Sequence, residues 1–275
     1  SVSGYAIFYI FVAPNSKWKI MPLSQRHKAI LDMVNETGSI GVGELAKEFN
    51  VSEVTIRKDL TQLEKTGSIY RAHGRAIRFN PYINDRDVNV KEKQQIMQKK
   101  AIGEYAARMI SPNDSILIAS GTTVMYLARE IVPQEHLTVI TSAMNVSAYL
   151  SRNKDIDVIQ LGGIARNSSE SVVGHYAEEM LSNFACSKLF IGTDGIDVEY
   201  GLSTTNLLEA SLNRMMIDAS QKTIVLTDST KFNFRGFSKI CDIDRIDQIV
   251  TDRGIPQHVL KQLEERGIEV TVLDV

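Results

Sequence analysis

Apolar positions in the first eighty residues fall at helical spacing. Ala29, Ile30, Met33 and Val34 share one face of a 3.6-residue period and predict a helix over 24–36, closed by Thr37-Gly38-Ser39. Leu45, Ala46 and Phe49 mark a second short helix over 42–49. Asn50-Val51 turns the chain and Ser52 is a favourable N-cap. A third helix follows to residue 65, with Val54, Ile56, Leu60 and Leu63 as its apolar positions, and Gly67 stops it. Ile69-Tyr70-Arg71 and Ala76-Ile77-Arg78-Phe79 pair as a hairpin around His73-Gly74-Arg75. Three helices and a two-stranded wing make the winged helix-turn-helix plan.

Residues 80–91 carry no helical period and many turn formers, and read as a linker. A long helix over 91–110 is expected next. From residue 115 short apolar runs alternate with amphipathic stretches. The runs are 115–119, 137–141, 157–161, 188–191, 223–227, 248–251 and 269–273; the helices are 123–131, 145–152, 175–183, 206–220 and 256–266. This alternation predicts an α/β domain with a mostly parallel sheet. Several runs end in small or polar residues, and ligands of such sheets sit at the carboxyl ends of strands.

Composition narrows the class. Of 275 residues, 43% are hydrophobic and 23% charged, which excludes wholesale disorder. Two cysteines, Cys186 and Cys241, are too few for a disulfide framework and fit a reducing, cytoplasmic setting as buried small residues. The five histidines show no metal-ligand spacing, so neither metal nor cofactor is expected; His175 is a candidate to line a pocket. Net charge is −2, but unevenly spread: +2 over residues 21–78 and −6 over 79–275. A basic head on an acidic body suggests two jobs. Residues 5–13 form an apolar run too short for a membrane span, which needs about 20 residues. Lysines follow that run instead of preceding it, against a signal peptide. Residues 1–20 are therefore read as an extension ahead of the natural start, with a packing segment or a weak secretion signal as alternatives.

The third helix begins with exposed polar residues. Ser52, Glu53, Thr55, Arg57 and Lys58 sit where recognition helices meet base edges and phosphates. Arg71 at the base of the wing and Arg75 at its tip suit backbone or minor-groove contact. Asp59 is given a structural role, facing Arg57, Lys58 or a backbone amide. In the body, Ser120-Gly121-Thr122-Thr123 lies between a strand and a helix, where backbone N–H groups favour an anion such as phosphate. Gly163 and Arg166 follow another strand, Asp194 and Asp197 a third, and Asp228 and Lys231 a fourth. Phosphate grippers beside carboxylates that accept sugar hydroxyls suit a phosphorylated sugar.

These residues carry a family resemblance. Residues 24–78, and above all Val51-Ser52-x-x-Thr55-Ile56-Arg57-Lys58-Asp59-Leu60, resemble the head of the DeoR family of bacterial transcriptional regulators. Residues 92–275, through Ser120-Gly121-Thr122-Thr123, Gly192-Thr193-Asp194-Gly195-Ile196-Asp197, Glu209 with Arg214, and Asp228-Ser229-x-Lys231-Phe232, are similar to its effector domain. The resemblance implies a winged head at 21–79, a linker at 80–91 and an effector domain at 92–275 with the fold of ribose-5-phosphate isomerase and glucosamine-6-phosphate deaminase. It also implies a repressor of sugar, amino-sugar or sugar-alcohol catabolism that binds operator double-stranded DNA and lets go when a phosphorylated sugar binds; because a single head binds weakly, a homo-oligomer is expected. Three positions depart from the family pattern: Arg75 replaces a wing glycine, Ala119 an aspartate and Asn213 a lysine. A sugar-phosphate isomerase or deaminase with an appended head is the alternative, since Asp194-Gly195-Ile196-Asp197 resembles a segment those isomerases use. No second acid/base motif of equal specificity accompanies it, so no enzyme is expected. A head that binds protein instead of DNA is a third reading, separated by the salt dependence of duplex binding.

Overall fold

The computed structural model describes residues 23–37, 39–65, 68–72, 74–78 and 91–275. The extension at 1–20 and the linker, apart from Lys91, lie outside the described residues. The chain divides into two units, Ser1–Phe79 and Asn80–Val275.

The first unit holds α1 (Leu23–Thr37), β1 (Ser39–Gly41), α2 (Val42–Glu48), α3 (Glu53–Lys65), β2 (Ile69–Ala72) and β3 (Arg75–Arg78). Its sheet has three strands, because β1 adds antiparallel to β3 with Ile40 opposite Ala76. The sequence pattern places Ser39 in the stop of a helix; a three-residue strand is too short to show a period of two. Asn50 takes a left-handed conformation (φ 48°) between α2 and α3, which asparagine tolerates well. Ile30, Val34, Leu45, Ile56, Leu60, Leu63 and Ile69 close one small core. Inside it the guanidinium of Arg26 donates to Asp59 at 2.6 and 3.0 Å, and both residues are buried. Asp59 therefore faces α1, not Arg57, Lys58 or a backbone amide. Val54 departs from expectation too: it points outward and is exposed.

The second unit is a three-layer α/β domain. Its helices are α4 (Ile96–Ala107), α5 (Thr122–Glu130), α6 (Met144–Leu150), α7 (His175–Leu181), α8 (Leu207–Asp218) and α9 (Gln257–Glu265). Seven parallel strands form the central sheet: β4 (Ser115–Ile118), β5 (Leu137–Thr141), β6 (Ile156–Gln160), β9 (Cys186–Ile191), β12 (Ser220–Leu226), β14 (Gln248–Asp252) and β15 (Glu269–Leu273). Their order is β15-β14-β12-β9-β4-β5-β6. Alternate residues of each strand feed opposite faces. Ile116, Ile118, Phe190, Ile224 and Leu226 pack with α4, α5 and α6, while Leu117, Leu189, Ile191 and Val225 pack with α7, α8 and α9. Burial on both faces explains why the strands read as continuous apolar runs. Gly103 lets α4 and α5 touch, since a Cβ there would lie 2.6 Å from the Tyr126 carbonyl carbon.

Two small antiparallel units escaped the sequence reading. They are the hairpin β7 (Ile164–Arg166) with β8 (Ser171–Val173), and a sheet of β10 (Gly195–Asp197), β11 (Gly201–Thr204) and β13 (Ser238–Cys241). The helix expected over 91–110 is also interrupted. Residues 91–92 make a helical turn, Gln95 stands in the left-handed region (φ 52°), and α4 starts after it. Among the described residues no helix is long and apolar enough to cross a membrane.

Candidate functional site

The sheet order locates the pocket. The chain builds outward from β4 through β5 to β6, then returns to lay β9 beside β4 and builds the other way. Connections on either side of the β4–β9 pair depart in opposite directions and leave a crevice at its carboxyl end. The end of β4 carries Ser120 and Gly121, that of β9 carries Thr193 and Asp194, and that of β12 carries Asp228 with a short 3-10 turn at Ser229–Lys231. Ser120, Gly121, Thr193, Asp194, Asp228, Thr230 and Lys231 line one pocket of about 770 Å³, open mouth included. Gly121 adopts φ 137° as the N-cap of α5, and no side chain caps that helix. Thr122 and Thr123 lead its first turn into the same pocket.

The pocket sorts its charges into two groups. Asp194 accepts from Lys91 Nζ at 2.7 Å and from Thr204 Oγ1 at 3.0 Å. Glu209 accepts from Arg166 Nη1 at 2.5 Å and from Ser120 Oγ at 3.2 Å. Burial pushes the Asp194 carboxyl upward, but Lys91 and Lys231 outweigh it and hold the group below its usual value. Glu209 goes the other way, raised by burial and by the charge of Asp194, with Arg166 opposing. Among the described residues, Lys99 and Lys231 have no carboxylate within ion-pair distance. Lys99 is 3% exposed and donates at 2.5 Å to the Lys91 carbonyl. Burial lowers its pKa to about 8, against the opposing charge of Asp228 and with help from Lys231 and Lys91. It remains an ammonium at neutral pH.

Seven of the ten effector residues expected from sequence meet here: Ser120, Gly121, Thr122, Thr123, Asp194, Asp228 and Lys231. Three do not line the pocket. Arg166 stands behind it, gripping Glu209. Asp197 faces away, forked by Arg235 at 2.8 and 2.9 Å and accepting two amides of its own turn. Gly163 serves the β7–β8 hairpin, where a Cβ would meet the Val173 carbonyl oxygen at 2.7 Å. His175 is exposed and lies near Glu179, outside the pocket. Lys91, Lys99, Thr204 and Glu209 were not among the expected site residues. Lys99 had a signal: it shares the apolar stripe of α4 with Ile102 and Ala106, where a lysine is costly. Lys91 had none, because the turn formers around it read as linker.

In the first unit, the residues expected to meet DNA gather on α3 and the wing. Ser52 Oγ accepts from the Thr55 amide at 3.2 Å and bonds Thr55 Oγ1 at 3.0 Å, so these two close the helix start. Arg57 donates to Glu53 at 2.6 Å, both half in solvent, and Lys58 is exposed. Arg71 braces on Thr61 Oγ1 at 2.6 Å and lies 3.6 Å from Glu64. Arg75 folds onto the β1 edge, donating to the Ser39 carbonyl at 3.2 Å, 4.0 Å from Glu44.

Comparison with known proteins joins the two units. Residues 26–81 match the DeoR-like helix-turn-helix domain, and residues 94–253 match the DeoR C-terminal sensor domain. The chain is 36% identical over 253 residues to the uncharacterized HTH-type transcriptional regulator YulB of Bacillus subtilis (strain 168), covering 92% of this chain and 98% of that protein. It is 28% identical over 245 residues to the HTH-type transcriptional repressor CsqR of Escherichia coli (strain K12), covering 89% and 94%. Among solved structures it is similar to ribose 5-phosphate isomerase A from Neisseria gonorrhoeae, with a TM-score of 0.35 and 15% identity over 49% of this chain and 52% of that one. A helix-turn-helix followed by a sensor domain, matched nearly end to end in a relative that is itself a transcriptional regulator, settles the lineage: the chain belongs to the DeoR family of transcriptional regulators.

Proposed function

We propose that this regulator represses a carbohydrate catabolic operon and leaves its operator when a phosphorylated sugar fills the pocket of the second unit. The observation that carries the reading is the pair of ammonium groups without a carboxylate partner, Lys99 and Lys231, beside the uncapped start of α5. Together they form a phosphate seat. Asp194, Glu209 and Asp228, with the hydroxyls of Ser120, Thr204 and Thr230, form a polyol seat next to it. Arg57 and Lys58, with Arg71 and Arg75 on the wing, hold DNA. Operator binding also places the working protein in the cytoplasm, and assembly into a homo-oligomer raises the effective concentration of heads on a multi-site operator.

Lys91, the last linker residue, bonds Asp194 through its ammonium and accepts from Lys99 through its carbonyl. A ligand hydroxyl that claims Asp194, or a phosphate that claims Lys99, competes with a strap anchored at the base of the linker. Release follows only if the displaced strap favours a head arrangement that fits DNA badly. A coupling of about 1–3 kcal/mol changes DNA affinity roughly 5- to 150-fold. The test is fluorescence anisotropy on duplexes tiling the gene's upstream region and neighbouring sugar operons, at two salt concentrations, with and without a panel of sugar phosphates. Salt-sensitive binding to one tile, reversed by one phosphate, is expected. Binding that no panel member reverses overturns the effector assignment, and turnover of a panel member restores the enzyme reading.

A further inference from the structure

The recognition helix carries one exposed side chain that neither the core nor the phosphate contacts explain. Val54 is 59% exposed. Successive helical residues turn by about 100°, which sets Val54 opposite the buried Leu63. The same geometry puts Arg57 and Lys58 beside it one turn on, and Thr61 and Gln62 two turns on. These five residues line one shallow groove. Among the head residues whose side chains the structure describes, Val54 is the large apolar one left exposed. Helix stability does not ask for it, because a β-branched residue is a poorer helix former than alanine, glutamate or lysine.

Its neighbours narrow what it can meet. Ser52 and Thr55 are occupied in capping, and Glu53 holds the guanidinium of Arg57 at 2.6 Å. Val54 thus presents its methyl groups at the middle of a face that is otherwise polar and flanked by two cations. An apolar protein partner would call for more than one apolar side chain. The major groove of DNA supplies the matching pattern: phosphates on both sides for cations, base edges for Arg57, and the C5-methyl of thymine as its apolar feature. N-terminal residues of a recognition helix are those that reach base edges.

We propose that Val54 reads a thymine, packing its γ-methyls on the C5-methyl group beside the base addressed by Arg57. The proposal rests on the head binding DNA through α3. Removing one buried methyl weakens binding about fourfold, from ~0.8 kcal/mol per methyl-sized group.

The test uses the full chain and a duplex enriched from random-sequence DNA, so it does not depend on knowing the operator. Each thymine is replaced in turn by deoxyuridine, which removes the methyl group alone. The wild type should lose about fourfold at one position per half-site. Val54→Ala should lose a similar factor on the thymine duplex and nothing further on the deoxyuridine duplex. Alanine improves the helix, so folding is retained, as circular dichroism will check. Undiminished loss from deoxyuridine in Val54→Ala overturns the proposal, as does wild-type affinity of Val54→Ala for every duplex. Unchanged DNA affinity together with altered oligomer mass would make Val54 a protein contact instead. If no sequence is enriched at all, the DNA-binding reading fails first, and this inference with it.

Discussion

Both units bury charge, and they do so to opposite ends. In the head, Arg26 and Asp59 face each other through two hydrogen bonds inside a closed core, with His27 Nε2 3.4 Å from the same carboxylate. Among the described residues these two are the head's buried charges, and each is the other's partner. In the body, Lys99 is as deeply buried as Asp59, but it borders open volume and meets a carbonyl instead of a carboxylate. Burial alone therefore does not mark a functional group. What marks it is burial left electrostatically incomplete, next to room for the missing partner.

Removing one charge from each region should separate the two roles. Asp59→Ala leaves the Arg26 guanidinium buried without a partner and should destabilise the head by about 3–5 kcal/mol. The head's transition in a thermal melt should fall sharply, while the body's transition stays put. Lys99→Met should leave the body's stability within about 1 kcal/mol of wild type, because no opposite charge is stranded. The Lys91 carbonyl also keeps the Gln94 amide at 3.1 Å. The same variant should lose about 1.5–3 kcal/mol of effector affinity, read by calorimetry. A large loss of stability in Lys99→Met would erase the distinction.

Smaller effects sharpen it. Arg57→Ala should cost about 1–3 kcal/mol in operator affinity and nothing in effector affinity. Gly121→Glu should do the reverse, since a side chain at φ 137° strains the turn and its carboxylate repels phosphate. Lys91→Met should keep most effector affinity yet shrink the ligand's effect on operator binding, since the strap no longer holds Asp194. The smallest effect is on pH. Burial lowers the pKa of Lys99 in the free protein to about 8, so anion affinity should fall as pH rises through that value. In Lys99→Met that fall should vanish.

The sequence revealed what has a period. Parallel strands such as Leu137–Thr141 and helices such as Glu53–Lys65 announced themselves through unbroken apolar runs or 3.6-residue stripes. Three-residue strands such as β1, β7 and β10 have no period to detect, and they form only because a neighbouring strand offers its edge. The pocket-lining loop at Ser120–Thr123 was visible as a local string. The ion pairs were not: Arg26 with Asp59, Arg166 with Glu209 and Lys91 with Asp194 join residues 33, 43 and 103 positions apart. Asp197 misled because it stands three residues past Asp194, and along extended chain an odd offset turns the side chain to the opposite face, into the fork of Arg235.

The spread of the pocket along the chain has a consequence during synthesis. The helix-turn-helix unit ends near residue 79, whereas the pocket waits for Lys231 and for strands beyond it. At about 5–20 residues per second, the ribosome needs roughly 8–30 s to cover that distance. The head has its own core and can close in that interval. A newly made molecule thus completes its helix-turn-helix unit before its pocket exists, so any ligand control the pocket exerts starts later than the head's own folding.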